Sequence, residues 1–189
     1  IGGIGVSAIA RMYLKQGAMV TGSDRDTSSP VIDELKRLGV KVFRGQKEGN
    51  VPKDADLVVH TIAIPADNPE LVVARKRGLV VKTYPEVLGE LSAERQTIAI
   101  AGTHGKTTTT AMVAEILVKA KRKPMVIVGS LLAKGKSNFI AGTGPLVVEA
   151  CEYRRSFMAL SPTILVITNI DADHLDYYRD LADIQKAFA

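Results

Sequence analysis

Seven consecutive residues, Gly102, Thr103, His104, Gly105, Lys106, Thr107 and Thr108, combine what a phosphate-binding loop needs. Glycines let backbone N–H groups turn inward onto phosphate oxygens. A lysine reaches the terminal phosphates, and the threonine after it offers a hydroxyl to Mg²⁺. The run follows an apolar stretch at 97–101 that reads as a strand and opens a helical pattern at 106–120. The N-terminus of such a helix adds partial positive charge where the phosphates would sit. Ile100 stands where the general pattern has its first glycine, so this is a shortened variant. The plain alternative is a glycine-rich turn with a chance Gly-Lys-Thr.

Two weaker signals accompany it. Gly2, Gly3 and Gly5 precede a helical pattern, a strand and then Asp24, the order of a dinucleotide fingerprint with an acid placed for a ribose. Close packing of a helix on a sheet would equally require glycines there. Further along, Glu149 ends one apolar run, and Asn169, Asp171, Asp173 and His174 follow another. Ligands of open α/β sheets sit at the carboxyl ends of strands, and oxygen donors suit Mg²⁺ beside phosphates. On chemistry alone, His174 reads as a general base or a loop-packing residue, and the acids around it could equally form a solvated loop. Cys151 reads as inert packing, and His60, inside a strand pattern, as a satisfied core histidine.

The elements that must carry these residues alternate: short β-rich runs, then helices. That pattern predicts an α/β fold with mostly parallel strands. Helices are expected at 5–17 and 31–38, and from Asn68, whose side chain caps a helix with proline at its first position. Strands are expected at 19–23, 40–43, 57–62 and 79–82, together one doubly wound unit. After the polar run 92–96 the pattern restarts, with strands at 97–101, 125–128, 146–149 and 164–168, the last two buried. A final helix is capped by Asp180, with Leu181, Ile184 and Phe188 on its face. Two domains are therefore expected, 1–95 and 96–189.

Composition narrows the function. The 189 residues are 46% hydrophobic, which excludes a disordered chain, and no apolar run approaches the length of a membrane span. One cysteine excludes an internal disulfide and suits a reducing compartment. The net charge of +5 is spread over a mixed surface, and the absence of Trp leaves no basic–aromatic platform, so neither nucleic acid nor membrane is an expected partner.

The run from Ala101 to Thr110 resembles the ATP loop of the Mur ligase family, and the histidine in it resembles the branch that adds L-alanine. Three other segments agree: Gly2 to Ala10, similar to the family's UDP-sugar loop; Ala66 to Glu70; and Glu149 to Phe157 with Thr168 to Asp176. The resemblance implies a Rossmann-like domain for the UDP-sugar, followed by the first part of a P-loop-type ATP-binding central domain. It implies ATP and Mg²⁺ as cofactors and ligation of L-alanine to the lactyl carboxylate of UDP-N-acetylmuramate through an acyl phosphate, in the cytoplasm of a peptidoglycan-making bacterium. Gly102, Thr103, His104, Gly105, Lys106, Thr107 and Thr108 would bind ATP. Lys106, Glu149 and His174 would be catalytic, and Thr107, Glu149 and His174 would hold metal. Gly2, Gly3 and Gly5 would lie on the UDP pyrophosphate, with Asp24 facing the nucleoside. Cys151 and Arg154 depart from the family's pattern beside that metal site. The family has three domains, so this chain would lack the first strand and the C-terminal domain, and the piece alone would be inactive. A tripeptide-adding recycling ligase shares the motifs, the ATP loop alone would also fit a folylpolyglutamate synthase, and a nucleotide-binding regulatory module remains the alternative of another class.

Overall fold

Alternation of β-rich runs with capped helices yields an α/β chain with mostly parallel sheets, seen in a computed structural model that describes residues 1–132 and 137–188. The chain divides into two compact units, Ile1–Val87 and Leu88–Ala189.

In the first unit, α1 (Ile4–Lys15) leads into β1 (Thr21–Asp24), and α2 (Pro30–Arg37) crosses to β2 (Lys41–Arg44), parallel to β1. β3 (Leu57–His60) and β4 (Val80–Thr83) form a second parallel pair across α3 (Pro69–Lys76). The caps follow the sequence: the Ser29 side chain accepts from Ile32 N–H and that of Asn68 from Glu70 N–H, each before a proline. Ile9, Met12, Ile32, Leu35 and Leu71 are buried in this unit. The single doubly wound sheet expected here is instead two separate strand pairs, because no strand among the described residues lies between them to bond both.

The division between the units falls within α4 (Tyr84–Ala93), a helix absent from the expected pattern. Its start is a capping box: Thr83 N–H and Oγ1 donate to Glu86 Oε2 at 2.6 and 2.8 Å, and Glu86 N–H donates back to Thr83 Oγ1 at 3.4 Å.

The second unit is one five-stranded sheet. β5 (Thr97–Ala101) sits between β8 (Leu146–Glu149) and β9 (Ile164–Ile167), with β6 (Met125–Leu132) beyond β8 and β7 (Ser137–Ile140) outermost. All pairings are parallel except that of β6 with β7, an antiparallel pair that was not expected. α5 (Lys106–Lys119) packs on the sheet, and Ile100, Ala114, Val126, Val128 and Val147 form the core beneath it. β8 is buried as expected. β9 is not: among the described residues it is an edge strand paired only with β5, and Ile164, Leu165 and Ile167 are exposed. α6 (Leu181–Phe188) begins where Asp180 Oδ1 accepts from Asp183 N–H at 2.8 Å. It buries Ile184 and Ala187 against Tyr178, Phe157 and Ile170; Leu181, expected on that face, is exposed, and Ala187 takes its place.

Candidate functional site

The glycine loop joins the end of β5 to the start of α5. Gly102 has φ +118° and Gly105, the N-cap of α5, has φ +80°, conformations an L side chain rarely adopts. At Gly102 there is also no room: a Cβ would run into Thr168 Oγ1 and lie 2.7 Å from Asn169 O. The loop is thus pressed against the segment that follows β9.

That segment takes up part of the loop's hydrogen bonding. Thr103 N–H donates to Asn169 O at 3.0 Å, and His104 N–H to Asn169 Oδ1 at 3.0 Å. His104 O accepts from Asn169 Nδ2 at 3.0 Å and from Thr168 Oγ1 at 2.6 Å, and the Thr103 hydroxyl bonds the Asp171 backbone. Two of the backbone donors assigned to phosphate by spacing are therefore turned to protein instead. The donors that a helix leaves unsatisfied at its start, here on Lys106, Thr107 and Thr108, remain the ones suited to an anion.

Lys106 curls back over its own loop. Its ammonium donates to Gly102 O at 2.5 Å, Thr103 O at 3.0 Å and Glu152 Oε1 at 3.0 Å. Glu152 was not singled out from the sequence, although it stands within the run that carries Glu149. Its side chain is 3% exposed, and its Oε1 is also 3.5 Å from His174 Nε2. The Tyr178 hydroxyl donates to its backbone oxygen at 2.5 Å, anchoring it to the α6 cluster. His174 adopts φ +52°, and Arg154 and Arg155 are left-handed as well, three strained residues around one buried carboxylate. The ring of Tyr153 lies 5.0 Å from that of His174, and its hydroxyl donates to Asp176 Oδ2 at 3.0 Å.

Glu149 ends β8 opposite Ile100 of β5. Its carboxylate lies over Gly129 of β6, where any Cβ would overlap Oε2, and its Oε1 is buried without a hydrogen-bond partner. The expected partnership of Glu149 with His174 takes a different form. His174 is grouped with Glu152 and Asp173, whose ligand atoms lie within 4.8 Å of one another, and Glu149 is outside that group. The buried, unpartnered Glu149 Oε1 and Glu152 Oε2 are hard oxygen donors, a set that fits a divalent cation such as Mg²⁺. Cys151 is exposed as a residue. Desolvation of its sulfur, chiefly, raises the thiol pKa, with the carboxylates of Glu152 and Glu149 adding to the effect. A thiol held neutral is a poor nucleophile.

In the first unit, Gly2, Gly3, Gly5 and Asp24 line one cavity, which runs between the unbonded strand pairs β1–β2 and β3–β4. Two of the glycines also answer to packing: a Cβ on Gly2 would lie 2.8 Å from Ile32, and one on Gly5 2.8 Å from the Tyr84 ring, whereas Gly3 faces open space. Asp24 Oδ2 accepts from Gly2 N–H at 2.8 Å, so its carboxylate holds the glycine turn besides lining the cavity. His60 is not a core histidine. It is half-buried at the end of β3, lines the cavity, and its Nδ1 is 2.9 Å from Thr61 O. Glu70, also on the cavity wall, was not picked out as a site residue.

The Mur ligase family catalytic-domain model matches residues 1–96, and the Mur ligase middle-domain model matches residues 100–189. The UDP-N-acetylmuramate–L-alanine ligase of Clostridium acetobutylicum is 46% identical over 191 residues, covering 100% of this chain and 41% of that protein. Its counterpart from a Sulfurihydrogenibium species is 47% identical over 189 residues, with the same coverage. Among solved structures, the UDP-N-acetylmuramate–alanine ligase of Thermotoga maritima superposes with a TM-score of 0.90 at 35% identity, over 100% of this chain and 44% of that one. A UDP-N-acetylmuramate:L-alanyl-γ-D-glutamyl-meso-diaminopimelate ligase from Neisseria meningitides gives 0.87 at 26% identity, covering 100% and 64%. The chain spans about two fifths of the length of the curated relatives it matches (41%).

Proposed function

Since the chain belongs to the Mur ligase family, we propose that its protein joins L-alanine to the lactyl carboxylate of UDP-N-acetylmuramate, driven by ATP. The observation that carries the reading is Lys106, held at the mouth of a glycine loop by a buried carboxylate that also faces His174. The first unit would hold the UDP-sugar in its cavity, with the glycine turn and the start of α1 toward the pyrophosphate. Cytoplasmic location, where ATP and nucleotide sugars meet, belongs to the same reading.

A carboxylate is a poor electrophile at neutral pH. Transfer of the γ-phosphoryl group breaks its bond to ADP and forms a bond to a carboxylate oxygen, giving an acyl phosphate. The amine of alanine then attacks the carbonyl, loses a proton, and phosphate leaves. The chain's task is to bring mutually repelling anions together. Lys106 would exchange Gly102 O, Thr103 O and Glu152 for phosphate oxygens, while the amides of Lys106, Thr107 and Thr108 receive the rest of the charge. Asn169 keeps the loop in shape during that exchange. Thr107, Glu149 and His174, with Glu152 alongside, would hold Mg²⁺. When bound it neutralises phosphate charge as a Lewis acid.

The test is phosphate release by the full-length protein with Mg·ATP and UDP-N-acetylmuramate, adding L-alanine, glycine, L-serine or a tripeptide one at a time. Release that requires the UDP-sugar and is greatest with L-alanine is expected. Release only with the tripeptide would move the protein to the recycling branch, against which stand both the higher TM-score and the higher identity to alanine ligases. Release independent of the UDP-sugar would overturn both.

A further inference from the structure

Glu70 stands in the first turn of α3, where the helix dipole favours a carboxylate. Its two oxygens collect donors from two other segments of the cavity wall. Ser23 Oγ, on β1, donates to Oε2 at 2.6 Å. Asn50 Nδ2, from the 3₁₀ turn Glu48–Asn50, donates to Oε1 at 2.6 Å, and Lys47 N–H, just ahead of that turn, donates to the same oxygen at 3.3 Å. The segments are tied further around it. Asn50 Nδ2 also reaches Gly45 O at 3.0 Å. Asn68, 4% exposed, caps Glu70 N–H at 3.0 Å while donating to Gln46 Oε1 at 2.6 Å. Ser23, Gln46, Asn50, Asn68 and Glu70 all line the cavity.

We propose that Glu70 is a positioning residue for the ligand of this cavity: one carboxylate that sets the spacing of β1, the 46–50 segment and the start of α3. The proposal rests on the reading of the cavity as the nucleotide-sugar site. A carboxylate aimed at an anionic ligand would repel it. One engaged by three protein donors is spent on the wall instead, and its charge is screened by the bonds that it accepts. The side chain therefore acts on binding through geometry and takes no part in the phosphoryl or acyl step.

The atoms predict an unequal mutant series. In Glu70→Gln the amide oxygen keeps the Lys47 and Asn50 donors, and the Ser23 hydroxyl reverses to accept from the amide nitrogen, since a hydroxyl can do either. In Glu70→Ala all three donors are stranded. Ser23→Ala removes one donor and leaves the rest of the wall in place. Steady-state kinetics of the full-length protein, read with thermal melting of each variant, separates the possibilities. Glu70→Ala is expected to raise KM for UDP-N-acetylmuramate about ten- to a hundredfold, Ser23→Ala and Glu70→Gln only a few fold, with kcat and KM for ATP within about twofold of wild type. Unchanged KM in Glu70→Ala and Ser23→Ala overturns the proposal. So does a loss spread equally over kcat and both KM values, which is the mark of general unfolding. If Glu70→Ala fails to fold, Ser23→Ala alone decides between the two. Wild-type protein that turns over without any need for the UDP-sugar removes the reading of the cavity and the proposal with it, an outcome distinct from a wild-type enzyme with an indifferent Glu70.

Discussion

Lys106 and Glu152 meet at 3.0 Å, 46 residues apart in the chain, with the carboxylate 3% and the lysine side chain 16% exposed. Neither charge is easily left alone at that depth, because water cannot replace the partner. The carboxylate is tethered from behind by Tyr178 and faced by His174, while the ammonium is held by two loop carbonyls. The pair therefore keeps the glycine loop charge-balanced.

Replacement of Lys106 by Ala is expected to abolish phosphate release while leaving UDP-sugar binding nearly intact. Unpairing Glu152 should also destabilise the fold, by on the order of 3 kcal/mol. Titration calorimetry and denaturant melts of the full-length variant check both halves. Wild-type turnover would remove Lys106 from the chemistry.

Asn169 supplies the loop with an acceptor and a donor from one amide. Asn169→Asp keeps the acceptor for His104 N–H but sets a carboxylate against His104 O; Asn169→Ala loses both. KM for ATP should rise about tenfold or more in each, with KM for the UDP-sugar unaffected. An unchanged KM for ATP in the alanine variant would show that the loop needs no such brace.

Gly129 leaves the space that the Glu149 carboxylate fills. The obstructing atom is the far end of a flexible side chain, so Gly129→Ala should cost little stability, within about 1 kcal/mol. The carboxylate, however, must move. The Mg²⁺ concentration for half-maximal phosphate release is expected to rise about tenfold, and a melting curve close to wild type would locate the effect at Glu149. No change in the Mg²⁺ requirement would deny Glu149 a part in holding the ion.

The start of α4 carries a pH signature. Hydrogen bonds from Thr83 N–H and the Thr83 hydroxyl hold the Glu86 carboxyl below the ordinary glutamate value. A lowered native pKa gives stability that is present above the unfolded value and is lost as pH falls through the native one. Thr83→Ala should cost about 1 kcal/mol at neutral pH. The gap to wild type should narrow in melts taken at pH values below the ordinary glutamate range. A gap that stays constant through acid would assign the cost to something other than the Glu86 charge.

Local signals carried much of the architecture. The α2 and α3 starts were written in Ser29-Pro30 and Asn68-Pro69, and the tight turn before α5 in its glycines, because caps and tight turns depend on a few adjacent residues. The α4 start is equally local, the Thr83–Glu86 spacing of a capping box, though the expected pattern has no helix there. What could not be read was set by partners far along the chain. Ile164 and Leu165 have the apolar pattern of a buried strand and lie exposed, since burial depends on which strands flank them. Glu152 is one acid among several in the sequence and becomes distinct only when β8 delivers it beside Lys106. The Thr103 and His104 amides look free for phosphate until Asn169, more than sixty residues on, takes them.

That separation bears on how the glycine loop acquires its shape during folding. α5 can form early from neighbouring residues, yet the loop ahead of it has no fixed shape until β9 pairs with β5 and brings Asn169 and Asp171 against it. Closing such a long stretch of chain costs entropy before any contact returns it, so the loop is ordered late and cooperatively with the sheet. On the ribosome, residues 102–105 leave the exit tunnel well before the asparagine that shapes them has been synthesised. The shape of the glycine loop then arrives as a single event, when the last parallel strand docks.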